Sequence, residues 1–126
     1  METRKITALV NSVSSFRPYD EDLKTEFALA ARIFLCGLAK ELGIDADIRY
    51  NTAGAACSGT AVLHGDSLYV HINADSGLGI LVRCCKGPND YIGGPNAFVP
   101  FSTLARECQS GFPTFREEMG RYSILT

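Results

Sequence analysis

Thr60-Ala61-Val62-Leu63-His64-Gly65-Asp66-Ser67-Leu68-Tyr69-Val70-His71-Ile72-Asn73 is the stretch that decides the fold of this chain. Apolar residues alternate with polar or mixed ones on both sides of His64-Gly65-Asp66-Ser67, and a period of two marks a strand with one buried face. Gly and Asp tolerate the backbone angles of a two-residue hairpin connection. The stretch therefore predicts a tight hairpin centred on Gly65-Asp66. That turn sets a register: Leu63 faces Leu68, Ala61 faces Val70, and Gly59 faces Ile72, all on the apolar side. Val62 with Tyr69 and Thr60 with His71 form the mixed side. Turn and alternation agree on which residues enter the core.

The same period continues on either side. Ala46, Ile48 and Tyr50 alternate with Asp47 and Arg49, which predicts a strand before the hairpin. Gly79 to Cys85 predicts one after it, with Ile80, Val82 and Cys84 pointing one way and Leu81, Arg83 and Cys85 the other. Upstream the period is helical. Ile6, Leu9, Val10 and Val13 predict a helix from Arg4 to Ser14, with Thr3 as its N-cap. Asp20 is placed to cap a second helix, and Gly43 to stop it in the left-handed conformation. Between them Leu23, Phe27, Ala30, Phe34, Leu38 and Leu42 form a stripe, widened by Ala28, Ala31 and Leu35. The middle of this run is apolar nearly all round, which predicts a central helix covered on more than one side. Arg32 has no acidic residue three or four positions away, so it is expected at the surface. Downstream, Ser102 is expected to cap a helix through Cys108. Pro113 or Thr114 is expected to open a last short helix that ends at Gly120. The predicted fold is α+β: two N-terminal helices, a four-stranded antiparallel meander, then one or two short C-terminal helices, packed on one sheet face.

Composition fits this reading. The chain has 126 residues, 46% hydrophobic and 21% charged, within the range of a single folded domain spanning 1–126. A net charge of −2 does not favour a general nucleic-acid binder, which carries a basic excess. Met1-Glu2-Thr3-Arg4-Lys5 is charged and precedes no signal-type apolar run, and the longest apolar stretch is too short to span a bilayer. A cytoplasmic protein with no membrane partner is the expectation. Five cysteines without a secretory signal are expected to be reduced thiols.

Chemical signatures are sparse. Cys57, His64, His71, Cys84 and Cys85 have the right types for zinc, but no CxxC pair supplies ligand spacing, so neither metal nor other cofactor is expected. Cys36 and Cys84 are expected to be small core residues. Cys85 is expected to share the open sheet face with His71, the one arrangement that suggests thiol chemistry. Asp66 and Asp75 suit turns better than a nuclease centre. Asn96-Ala97-Phe98-Val99-Pro100 follows Gly93-Gly94-Pro95 and does not open a helix, so a phosphate cradle is not expected. The helix–strands–helix order is topologically similar to double-stranded RNA binding domains, yet the last helix brings only Arg106 where a lysine cluster would grip phosphate.

What stands out is Arg83-Cys84-Cys85-Lys86-Gly87-Pro88-Asn89-Asp90-Tyr91-Ile92-Gly93-Gly94-Pro95-Asn96. Three Gly and two Pro in fourteen residues predict a shaped loop, and shaped polar loops on a rigid scaffold often carry function. Arg83, Lys86, Asp90, Tyr91 and Asn96 are the candidate binding residues of this segment. Tyr69 and His71 join them from the open sheet face; no catalytic residue is assigned. The pattern Arg83-x-Cys85-Lys86-Gly87-x-x-Asp90-Tyr91-x-Gly93-Gly94-x-Asn96 resembles a stretch in small uncharacterised proteins of proteobacterial phages and prophages, over about a ninth of the chain. Pro88 and Pro95 depart from that pattern by stiffening the loop. The resemblance implies a small accessory protein that binds and disables a host protein or nucleoprotein complex in the host cytoplasm. CRISPR–Cas and other defence complexes are the implied targets. The alternatives from the residues themselves are a nucleic-acid or nucleotide binding module using Arg83, Lys86 and Tyr91, and a small cysteine-dependent enzyme. A monomer or a homodimer fits the sequence equally. The helical surface around Arg32 and Glu41 is the second place to look.

Overall fold

Glycine and aspartate at its two ends frame the longest element, and the computed structural model bears out both. It describes residues 1–51, 59–75, 78–87 and 95–125. Helix α2 (Glu21–Leu42) begins where the Asp20 carboxylate accepts from the backbone N–H groups of Asp22 and Leu23, and ends at Gly43, whose φ is 66°. The carboxylate satisfies two donors that the first turn leaves open, and only glycine adopts the left-handed stop without a Cβ clash. Phe27, Ala31, Phe34, Leu35 and Leu38 from this helix are fully buried. Helix α1 (Thr3–Ser14) lies against α2 through Ile6 and Leu9. Thr3 is its first residue rather than its cap; Glu2 holds the cap position and makes no side-chain bond there.

Five antiparallel strands follow in simple sequence order among the described residues: β1 (Ala46–Asn51), β2 (Thr60–Gly65), β3 (Leu68–Asn73), β4 (Ile80–Cys84) and β5 (Ala97–Val99). Ala61, Leu63, Val70, Ile72, Ile80 and Val82 all point to the helices and are at most 1% exposed. Helix α2 covers β1 and β2, and helix α4 (Pro113–Leu125) covers β3 and β4. The α+β class and the helices on one face are as expected from sequence.

The hairpin register is not. Leu63 pairs with Val70 and Ala61 with Ile72, so the connection is Asp66-Ser67 rather than Gly65-Asp66. Gly65 is a strand residue opposite Ala46, and a Cβ placed on it would stand 3.2 Å from the Asp45 carbonyl oxygen. The glycine serves close approach to β1, not the turn. The slip is two residues, an even number, so every side chain keeps its face and the expected buried set survives.

Strand β5 is an addition to the expected four. Leu81 pairs with Phe98 and Val82 with Ala97. Its approach depends on Gly79, whose φ is 95° and where a Cβ would sit 2.3 Å from the Val99 carbonyl oxygen. Ser102 lies inside a 3-10 turn (Phe101–Thr103) and caps nothing; α3 (Leu104–Gln109) follows directly. Beyond it Gly111 and Phe112 both take positive φ, 79° and 60°. Phenylalanine in that region is strained by roughly 1–3 kcal/mol. Phe112 is 1% exposed and packs edge-on against Phe34 and Phe115, so burial, worth about 1.5–3 kcal/mol, offsets the strain. Pro113 opens α4 as its first residue, where a missing N–H costs nothing. Glu107 accepts from the Thr114 N–H at 2.6 Å and caps α4 from the neighbouring helix. The helix runs through Gly120 to Leu125 rather than stopping at Gly120.

One further expectation fails: Cys36 is exposed rather than a core residue. Helix α2 is covered on more than one side, as expected, by α1 and by β1 and β2, while the exposed Leu29 (59%) and Ile33 (42%) leave one strip of it open. Arg32 is exposed, as expected. Lys24, charged and unremarked in the stripe, is 0% exposed, with its Nζ 3.6 Å from Glu21. No helix of the described residues is long and apolar enough to cross a membrane.

Candidate functional site

Parity sends alternate residues of β2, β3 and β4 to the face away from the described helices, and the pairing puts them in rows. His64 stands opposite Tyr69, and Tyr69 opposite Arg83. The His64 and Tyr69 rings meet edge to face at 5.2 Å and 89°. The Arg83 guanidinium carbon lies 4.4 Å above the centre of the Tyr69 ring. A cation over that electron-rich face is attracted by the ring quadrupole and keeps an apolar neighbour at the same time. The second row runs Val62, His71, Leu81, Phe98 across four strands. Phe98 is 41% exposed at the β5 edge. Tyr69 and His71 rings lie 6.5 Å apart along β3. Asp47 and Arg49 of β1, paired at 2.7 Å, finish the face with a charged border. That border also suits an edge strand, since charges there discourage pairing with another sheet.

Two electrostatic facts set the character of this surface. Arg83 Nε is buried and has no hydrogen-bond partner among the described residues. Burial first, and then the Arg83 charge, hold the His71 imidazole below its usual range, so His71 is neutral near pH 7. His64 is nearly buried, and its Nε2 lies 3.1 Å from the Gly87 carbonyl oxygen. A carbonyl only accepts, so Nε2 is the donor, and this bond ties the start of the glycine–proline segment to β2.

Of the residues expected at the site, Tyr69, His71 and Arg83 come together. Lys86 is exposed just beyond β4, and Asn96 is exposed just before β5. Asp90 and Tyr91 lie outside the described residues. Cys85 does not share the open face with His71. It is 1% exposed, its Sγ donates to the Gly65 carbonyl oxygen at 3.3 Å, and its N–H bonds Ser67. Buried and turned to that carbonyl, the thiol is closed to the open face. Its actual role is to lock β4 to the β2–β3 turn. His64 and Phe98 are the site residues that the sequence reading missed. His64 had the outer-face parity of Val62, and Phe98 stood in a β-prone triad too short to register as a strand.

No protein-family model, curated protein or solved structure matches the chain. The site therefore speaks only through its own chemistry: one cation held over an aromatic ring, one edge-to-face ring pair, a neutral imidazole, and an apolar edge.

Proposed function

We propose that this protein is a stoichiometric binding protein. Its open sheet face docks on a host protein or nucleoprotein complex and blocks that surface. The observation that carries the reading is the Arg83 guanidinium held 4.4 Å over the Tyr69 ring on this face. Arg and Tyr are enriched among the residues that dominate interface energies, and the exposed Phe98 adds an apolar edge beside them. Lys86 and Asn96 border the surface. Inhibition of a host defence complex is the finer form of the proposal, and it rests on the resemblance of the 83–96 segment to phage proteins.

The test is capture from a proteobacterial lysate by the immobilised chain, compared with a Tyr69→Ala/Arg83→Ala variant and a Lys86→Ala/Tyr91→Ala variant. The expected result is one protein or complex retained at fixed stoichiometry by the wild type. Each variant loses it while melting within a few degrees of wild type. Retention by both variants at full affinity would move the site off this face. Retention of RNA or DNA instead, with affinity falling steeply as salt rises, would favour a nucleic-acid module.

A further inference from the structure

A second uncovered surface lies along α2, between α1 and the β1 edge. Asp22, Glu26, Leu29, Ile33, Cys36 and Lys40 succeed one another at alternating steps of four and three residues, and all six are exposed. That spacing draws a single line along a helix, the line a coiled-coil seam uses. The order along it is acid, acid, aliphatic, aliphatic, thiol, base, and Arg32 adds a second exposed cation beside the line. Leu29 and Arg32 form a ridge with a groove on each side. One groove, of about 300 Å³, opens towards Lys5 of α1; the other, of about 280 Å³, opens towards Tyr50 of β1.

We propose that a second copy of this chain docks here, α2 against α2, antiparallel across a two-fold axis near Ala31. The charge order is complementary to its own reverse. An axis at Ala31 sets Asp22 opposite the second copy's Lys40 and Leu29 opposite the second copy's Ile33. It also brings Glu26 within reach of the second copy's Arg32. A two-fold contact uses one patch twice, so a patch that complements itself is what it requires. The Leu29 ridge of each copy enters a groove of the other, the ordinary way in which helices pack. An acidic peptide or a nucleic acid would meet Asp22 and Glu26 along half the line and be repelled. The line from Asp22 to Lys40 is about 27 Å long at 1.5 Å per residue. A stable interface covers roughly 800 Å² on each partner, more than one helix face offers, so Lys5 and Tyr50 on the flanks belong to the contact.

Sedimentation of the full chain over a concentration series tests this. Wild type is expected to form a dimer that weakens as salt rises. An Asp22→Lys/Glu26→Lys variant and an Arg32→Glu/Lys40→Glu variant each set like charges opposite one another. Each should dimerise about 100-fold more weakly or not at all. Mixed in equal amounts, the two variants have opposite charges at every pair and should form a heterodimer. Circular dichroism melts report whether each variant is folded. If lysines in the first turns loosen α2, Leu29→Lys gives the same reading from the middle of the seam, as a folded monomer. The proposal is overturned by a wild type that stays monomeric to about 1 mM, by variants that dimerise like wild type, or by a mixture that does not associate.

Discussion

The two faces of the sheet are built from the same strands, residue by residue in alternation, and differ in almost every physical respect. Leu63, Val70 and Val82 are 0% exposed, while their outer neighbours Val62, His71 and Leu81 are only half-buried. The inner face holds aliphatic side chains against α2 and α4. The outer face holds His64, His71 and Arg83 around Tyr69, with no helix of the described residues over them. Burial against helices leaves the inner face little freedom: the residues must be apolar and of the right volume. The outer face admits aromatic and cationic side chains instead, among them the buried His64. The difference separates what holds the molecule together from what it presents.

The largest effect expected from this contrast is at Val70. Val70→Asp buries an unpaired carboxylate between Leu63 and Val82 and should cost more than about 4 kcal/mol, enough to unfold the chain in a urea titration. Wild-type-like unfolding of that variant would break the contrast at its root. Next is Gly79→Ala, whose Cβ would collide with the Val99 carbonyl and hold an unfavourable φ. A loss of about 2–4 kcal/mol is expected, together with faster amide exchange in β5 than in β2 or β3. Uniform exchange across the sheet would show that β5 does not depend on the glycine. On the outer face, Tyr69→Ala/Arg83→Ala removes an aromatic–cation contact and should cost only about 0.5–1.5 kcal/mol. A loss as large as that at Val70 would make the outer face structural.

The smallest effect sharpens the contrast through pH. The His71 imidazole is held below its usual range in the folded state, so between that lowered value and about 6.5 the unfolded chain binds more protons. Stability is therefore complete above about pH 6.5 and falls as pH drops through that window. His71→Gln should flatten this slope, with little change at pH 8. A slope unchanged in the variant would assign the pH response elsewhere.

Much of this was legible in the sequence. Alternation gave the buried set because a face is a matter of parity, which survives a two-residue slip. The register itself was not legible, because Gly65-Asp66 and Asp66-Ser67 are both chemically suited to a turn. Only the close approach of β1 at Asp45 and Ala46 shows why Gly65 belongs to a strand. Strand β5 escaped because three residues make no period, and its partner glycine lies eighteen positions before Ala97. Lys24 stands three before Phe27 and seven before Ala31, squarely on the buried stripe, and its charge masked that placement. At the candidate site, Tyr69, His71 and Arg83 followed from parity. The contact of His64 with Gly87 needed the fold, since twenty-three residues separate them.

The line from Asp22 to Lys40 on α2 and the sheet face that carries Tyr69 and Arg83 share no residue. A dimer joined through α2 would therefore carry that sheet face twice. Such an object would be bivalent. Against a target present as a single unit, the second face adds nothing. Against a target that repeats along an assembly, the first contact raises the local concentration of the second face, and retention rises with no new atomic contact. Valency would then be set by the helix and specificity by the sheet, two properties of one short chain that selection could adjust separately.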